Sequence, residues 1–237
     1  VSCLAEQAKI LVAEAWENNL SWKAKGERFD RWYSCSLCEQ KHHGAVRCAL
    51  GWACWKTYVG RPETDIARRM AMNQLGNGLD HAGQNEDALS VREAELAMRR
   101  RLGESEANIL VVQGNLAGTY CMLGRLDEAL RVRQEIYSGR MKLNGEETET
   151  TLRAANNYAS SLLSLQRFEE VRSLMRKVMP ISRRVLGESH RLTLKMRKMY
   201  GEALYENPGA TLDDLREAVN TLEETARTAR RVLGGAH

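Results

Sequence analysis

The chain has 237 residues, of which 43% are hydrophobic and 28% charged, and its formal net charge is +4. The small charge, without a dense run of Lys or Arg interleaved with aromatic residues, argues against a nucleic-acid-binding surface. No run of about 18 uncharged apolar residues occurs, so the sequence predicts no membrane-spanning helix.

The first twenty residues predict an amphipathic helix. Its apolar residues recur at helical spacing, and Glu and Lys lie on the opposite side. These apolar residues are Leu4, Ala8, Leu11, Val12, Ala15 and Trp16.

All five tryptophans and five of the six cysteines lie within the first 60 residues. This change in composition predicts a separate Cys- and Trp-rich helical module or cap over residues 1–62.

A second helix is predicted over residues 44–58. Cys48, Trp52 and Trp55 stand at i, i+4 and i+7 and are expected to line one face of it. Gly60 and Pro62 follow, and proline disfavours the helical region in the residue before it. The end of the cap is therefore placed at residue 62.

A cluster of cysteines and histidines lies within this cap: Cys35, Cys38, His42, His43, Cys48 and Cys54. Cys35 and Cys38 form a C-x-x-C pair, which supplies two of the four ligands that a tetrahedral zinc ion takes. The favoured set adds one of the two histidines and Cys48. Cys48 and Cys54 are about 240° apart around a helix, so Cys54 can join only if Gly51 breaks that helix. The cluster is therefore a candidate site for one zinc ion.

Three other interpretations of the cysteines stay open. They can be small buried hydrophobic residues of a helical cap, they can form disulfides, or Cys38 and His42 can form a catalytic pair. No nucleophile-elbow, phosphate-loop or H-E-x-x-H motif is present, so no enzyme is predicted.

Unpaired Cys3 and Cys121 favour a reducing compartment, and the cytoplasm is expected.

The rest of the chain repeats a two-helix unit. The segment NLAGTYCMLGRLDEAL at 115–130 has counterparts 41 residues earlier and 42 residues later, and a period of tens of residues is the signature of a solenoid. Segments such as RLGES and VLGESH close successive units. Four repeats are predicted, at 63–104, 105–146, 147–188 and 189–237.

Local signals mark the helix ends in these repeats. Ser105 and Ser189 stand where N-caps are expected, and Thr211 with Asp214 predicts a capping box. Pro180 falls within a predicted helix and is expected to bend or end it. Three histidines are expected on the surface, at repeat turns or ends: His81, His190 and His237.

The first helices of the repeats carry asparagines next to their core positions: Asn73, Asn115, Asn156 and Asn157. In a stacked array the first helix of each pair lines a concave groove. Asparagine both donates and accepts, so these side chains are predicted to bind the backbone of an extended peptide. The fourth repeat instead offers Lys195 and Lys198, which favour acidic side chains.

With the closing VLGESH, and NLAGTY followed by LGRLDEAL, residues 63–237 resemble the tetratricopeptide repeats of kinesin light chains. The resemblance implies an all-α, right-handed solenoid of helix pairs whose concave face holds peptide or helical segments of partner proteins. By position, Asn115 and Asn157 match the family's backbone clamp. The heptads that join kinesin light chains to the heavy chain have no counterpart in the sequence before the repeats, so the resemblance supports a binding fold and does not extend to a motor association.

The sequence therefore predicts a non-catalytic scaffold for protein–protein interaction, with other proteins as partners. The alternative is a zinc-binding N-terminal module that recruits a partner, with the repeats as its scaffold. No feature of the sequence predicts an oligomeric state.

Overall fold

A computed structural model describes residues 1–234, apart from the side chain of Leu233. The described part is all-α, as predicted, and contains no strand beyond one isolated bridge between Ser34 and Lys41. The helices of this part are α1 Ser2–Glu17, α2 Trp22–Phe29, α3 Gly44–Tyr58, α4 Ile66–His81, α5 Asn85–Arg101, α6 Glu106–Met122, α7 Leu126–Asn144, α8 Glu149–Ser164, α9 Phe168–Leu186, α10 Arg191–Tyr205 and α11 Leu212–Leu233. His237, with the end of the last closing segment, lies outside the described residues.

Most predicted helix ends are found where the local signals place them. Ser105 Oγ accepts a hydrogen bond from the Asn108 N–H at 3.4 Å, and Thr211 with Asp214 forms the capping box. The N-cap of α10 is His190 and not Ser189, so that prediction is wrong. The reason is that His190 Nδ1 accepts from the Leu192 N–H at 3.2 Å, as a hydroxyl would in its place.

Pro180 does not end α9, which continues to Leu186. The predicted early end is therefore wrong, while the predicted bend stays a prediction. Val178 and Met179, just before the proline, are buried in the core, and packing of such an apolar stripe supplies most of the stability of a helix in a protein. Pro180 itself is exposed.

Contacts divide the chain into two compact units, Val1–Gly124 (unit 1) and Arg125–His237 (unit 2). In unit 1, α1 packs on α2 and α3, α3 packs along α4, and α5 packs on both α4 and α6. The core beneath α1 consists mainly of Ala8, Val12, Phe29, Trp32, Cys54 and Tyr58. The boundary at residue 62 stays a prediction, and α3 before it packs along α4 after it.

Two glycines explain how closely α3 and α4 approach. A Cβ on Gly51 would lie 2.9 Å from the carbonyl oxygen of Gln74, and one on Gly78 would lie 3.0 Å from that of Arg47. Gly51 therefore serves close packing and does not break α3. Trp52, expected on the packed face with Cys48, is 42% exposed because α3 turns Gly51 toward α4.

Unit 2 is organised around a single core formed by α7 to α11. Small residues of α8, Ala155 and Ala159, lie against Met175 of α9 and against Met196 and Tyr200 of α10. Helix α10 contacts α8, α9 and α11. Because α8 and α10 are the first helices of the third and fourth predicted repeats, their contact places the polar faces of these two repeats side by side.

Candidate functional site

A cleft of about 470 Å³ lies between α8 and α10 in unit 2. Eight residues from these helices and the turn before α10 line it: Glu149, Arg153, Asn156, Asn157, His190, Arg191, Leu192 and Lys195. The structure thus brings three predicted residues together, namely Asn156, Asn157 and Lys195. It adds five that the sequence analysis did not assign to a site.

Helical spacing places these side chains on the cleft. On α8, Asn156 and Asn157 follow Arg153 by three and four residues. On α10, Lys195 follows Arg191 by four residues. Residues at these spacings share a face of a helix. The same helices turn Leu152, Ala155 and Met196 into the core. The spacing of four from Asn157 back to Arg153, and from Lys195 back to Arg191, is the signal that would have identified the missed arginines.

Asn156 is the most enclosed polar side chain of the cleft, at 9% exposed. Its Nδ2 donates to Asn157 Oδ1 at 3.4 Å, whereas its Oδ1 is buried and has no hydrogen-bond partner within residues 1–234. A buried acceptor without a partner costs about 1–3 kcal/mol of folding free energy. A ligand N–H placed in the cleft would satisfy this oxygen.

The charges around the cleft are unequal. Arg153 forms an ion pair with Glu149, an acidic residue of the cleft lining on the same helix. On the facing helix, Arg191 and Lys195 are exposed, and neither is in an ion pair with any residue that the structure describes. Two uncompensated cations at the beginning of α10, where the helix dipole is positive, favour an anionic group in the cleft.

Lys198 lies outside this cleft. Its Nζ is 3.0 Å from Glu202 Oε1, and the hydrogen bond to that carboxylate raises the pKa of Lys198. The lysine charge is thus partly compensated within α10. Of the two predicted lysines, only Lys195 points its charge at the cleft.

The asparagines of unit 1 have different surroundings. Asn73 Oδ1 accepts from Asn77 Nδ2 at 3.0 Å, and the Asn73 carbonyl accepts from Arg92. Asn115 is half-buried on α6, and its carbonyl accepts from Thr119 Oγ1 at 3.4 Å. A peptide-binding role for Asn73 and Asn115 stays a prediction.

The C-x-x-C pair forms a tight turn between α2 and α3. The Cys35 N–H donates to the Gln40 carbonyl at 2.8 Å, and the Glu39 N–H donates to the Cys35 carbonyl at 3.1 Å. Glu39 adopts a left-handed conformation with φ of 58°. Hydrogen bonds from the Cys38 and Leu37 N–H groups to Cys35 Sγ lower the pKa of the Cys35 thiol.

The other two cysteines of the predicted zinc set lie on α3 and face different neighbours. Cys48 Sγ donates to Gln84 Oε1 at 3.3 Å, and Cys54 is buried among Phe29, Trp32 and Tyr58. Burial raises the pKa of both thiols. Because α3 continues unbroken through Gly51, Cys54 is not redirected toward Cys48.

The two adjacent histidines also point to different places. His42 Nε2 is buried without a hydrogen-bond partner in the described part of the chain, and burial lowers the pKa of this imidazole. The ring of His43 lies 6.3 Å from that of His81. Across residues 1–234, no three His, Cys, Asp or Glu side chains are grouped so that they could hold a metal ion. The structure does not gather the predicted zinc ligands, and zinc binding stays a prediction.

None of the helices described here has the length and apolar character needed to cross a lipid bilayer.

Comparisons with known proteins identify the repeat. Residues 151–192, which cover α8, α9 and the start of α10, match the sequence model of the tetratricopeptide repeat. One solved structure contains TPR-like repeats that are nearly identical to one another, and it comes from a Podospora anserina protein described as a kinesin light chain. It superposes on this chain with a TM-score of 0.66, at 17% identity over 98% of each chain. BtubC (BKLC) from P. vanneervenii superposes with a TM-score of 0.68, at 14% identity over 100% of this chain and 91% of that one. No curated protein sequence matches the chain. At identities this low, the superpositions demonstrate a shared fold and nothing further.

Proposed function

Because the chain is a tetratricopeptide-repeat protein with the fold of kinesin light chain-type repeats, we propose that it is a non-catalytic scaffold that binds segments of partner proteins. In this proposal the cleft between α8 and α10 binds an extended, acidic segment. The proposed partner is a protein and not a nucleic acid, and the proposed location is the cytoplasm, where free cysteines stay reduced.

The observation that carries the proposal is the unpaired acceptor of Asn156 beside two unpaired cations. A backbone N–H of the bound segment donates to Asn156 Oδ1, which has no other partner in the described residues. Asn157 is exposed, and while its Oδ1 accepts from Asn156, its Nδ2 donates to the peptide backbone next to it. Carboxylates of the segment then pair with Arg191 and Lys195, and such pairing gives specificity and a faster association rate.

A peptide-binding assay tests the acidic preference. Two series of fluorescently labelled peptides of one length are titrated with the chain, one with Asp and Glu and the other with Asn and Gln at the same positions. We expect the acidic series to bind, with an affinity that falls as salt is added. Lys195→Glu and Arg191→Glu should each weaken binding about tenfold, equivalent to about 1.4 kcal/mol.

Lys177→Glu is the matched control, because Lys177 is an exposed lysine on α9 that does not line the cleft. This variant should bind the acidic peptides as the wild type does. Equal binding of the acidic and amide series, or equal losses in the Lys177 and Lys195 variants, would show that the cleft is not the binding site.

A further inference from the structure

The turn that holds Cys35 and Cys38 takes no part in the proposed peptide binding. It lies in unit 1 and is fixed by backbone hydrogen bonds at its base, from the Cys35 N–H to the Gln40 carbonyl and from the His42 N–H to the Tyr33 carbonyl, each 2.8 Å. Ser36 Oγ donates to Gln7 Oε1 at 3.2 Å and attaches the tip of the turn to α1. The two cysteines are therefore held in one arrangement.

The turn brings the two sulfurs within reach of each other. The Glu39 N–H donates to the Cys35 carbonyl, so the five residues from Cys35 to Glu39 form one closed turn. Two cysteines three residues apart in one such turn come within the range of about 4.4–6.8 Å between Cα atoms that a disulfide spans. The Leu37 N–H donates to Cys35 Sγ at 3.4 Å, so this sulfur lies over the residues that lead to Cys38.

Accessibility separates this pair from the cysteines of α3. Cys38 is exposed, Cys35 is partly exposed, and Leu37 between them is 94% exposed, so the turn is open to solvent. Cys54 is fully buried and Cys48 is 9% exposed. A dissolved reagent therefore reaches the C-x-x-C pair without any opening of the core.

We propose that Cys35 and Cys38 form a redox-active dithiol that exchanges with small organic disulfides of the glutathione class. The Cys35 thiolate attacks one sulfur of the organic disulfide and releases the other as a thiolate, leaving a mixed disulfide on Cys35. The Cys38 thiolate then attacks Cys35 Sγ, forms the Cys35–Cys38 bond and releases the second small thiolate.

The exchange is balanced. Two protein thiols are oxidised to one disulfide, one organic disulfide is reduced to two small thiols, and the two protons of the cysteines pass to the leaving thiolates. The hydrogen bond from the Leu37 N–H to Cys35 Sγ stabilises a thiolate at Cys35, which identifies it as the attacking sulfur, and Cys38 is exposed and can resolve the mixed disulfide.

The test uses the full chain with Cys3→Ser and Cys121→Ser, which removes the other thiols that are not buried. The protein is equilibrated in buffers of graded reduced and oxidised glutathione, quenched in acid, alkylated and analysed by intact-mass and peptide mass spectrometry. We expect Cys35 and Cys38 to lose their thiols together, as one internal disulfide that dithiothreitol reverses. Adding Cys38→Ser should instead accumulate one glutathione on Cys35.

Two results would overturn the proposal. One is that both thiols remain open to alkylation in fully oxidised buffer, while circular dichroism shows the variants to be folded. The other is one equivalent of zinc that protects both thiols from glutathione disulfide and is lost on Cys35→Ser, because the pair would then be part of a metal site.

Discussion

Arg92 Nη2 donates to Asp80 Oδ2 at 3.2 Å and thereby joins α5 to α4 through a guanidinium that is only 1% exposed. The same group donates to Asn77 Oδ1 at 2.5 Å and lies 3.7 Å from Glu95, which is fully buried. Thr119 Oγ1 donates to the other oxygen of Asp80 at 3.0 Å. Unit 1 therefore contains a polar network inside its helix stack.

Replacing Arg92 by methionine should lower the free energy of unfolding by about 3–5 kcal/mol, because it leaves Asp80, whose side chain is 11% exposed, without its cationic partner, whereas Glu95 keeps Arg99 at 2.7 Å. Urea denaturation measures the change. Arg101→Met is the control, since Arg101 is 64% exposed in its pair with Glu63 and such pairs contribute less than about 1 kcal/mol. Equal losses in the two variants would contradict the role assigned to the network.

Gly76→Ala should also destabilise unit 1, because the new Cβ would lie 2.7 Å from Arg92 Cζ. The guanidinium cannot move aside without leaving its buried partners, and overpacking of this kind costs about 1–3 kcal/mol. Gly114→Ala on α6 is the matched control. Its Cβ meets nothing within 4 Å, so this change should be neutral or stabilise by up to about 1 kcal/mol. If Gly76→Ala leaves the urea midpoint unchanged, Arg92 is not fixed as described.

Stability should fall in acid through Glu104, whose side chain is 7% exposed and pairs with Arg69 and Arg99. Burial opposes its ionisation, but the charges of Arg99 and Arg69 outweigh burial and hold its pKa below the ordinary value of 4.5. A lowered folded-state pKa gives stability that is present above pH 4.5 and is lost as the pH falls through the folded value.

The measurement is the urea midpoint at several pH values between about 6 and about 3. Glu104→Gln should lose less stability across this range than the wild type does, while Glu14→Gln, at an exposed position of α1, should follow the wild type. Parallel curves for the wild type and Glu104→Gln would exclude this linkage.

Asn156→Leu should separate stability from binding. Leucine has the same number and branching of side-chain heavy atoms as asparagine and removes the buried oxygen that has no partner in the described structure, so folding should be unaffected or stabilised by about 1 kcal/mol. Binding of acidic peptides should be lost, because the acceptor is gone. Thermal unfolding and anisotropy titration of one preparation measure both effects. A stable variant with unchanged peptide affinity would remove Asn156 from the site.

Sequence reasoning succeeded where the cause is local. The Ser105 cap and the Thr211–Asp214 box each depend on residues three apart, and the helical period depends on neighbouring turns. The choice of His190 over Ser189 as a cap depends on which side chain faces the free N–H of Leu192, which no periodic pattern specifies.

The site itself depends on contacts between repeats, and here the sequence was less informative. Asn156 and Asn157 are adjacent and identical, yet one is nine-tenths buried and the other is exposed. Their difference arises from the packing of α8 against α10. For the cysteines of α3, helical spacing already separates Cys48 from Cys54, but it does not specify their neighbours, which are Gln84 for Cys48 and the core around Phe29 for Cys54.

The placement of the tryptophans makes the two units optically distinct. All five lie within the first 60 residues, so they belong to unit 1, and none occurs in the sequence of unit 2. Trp32, only 1% exposed and set edge-on to Tyr58, will shift its emission when the N-terminal core opens. Indole fluorescence therefore reports on one half of this molecule, whereas the far-ultraviolet signal of the helices reports on both halves. Recording the two together in a single melting experiment reveals whether the halves lose their structure in one step or in succession.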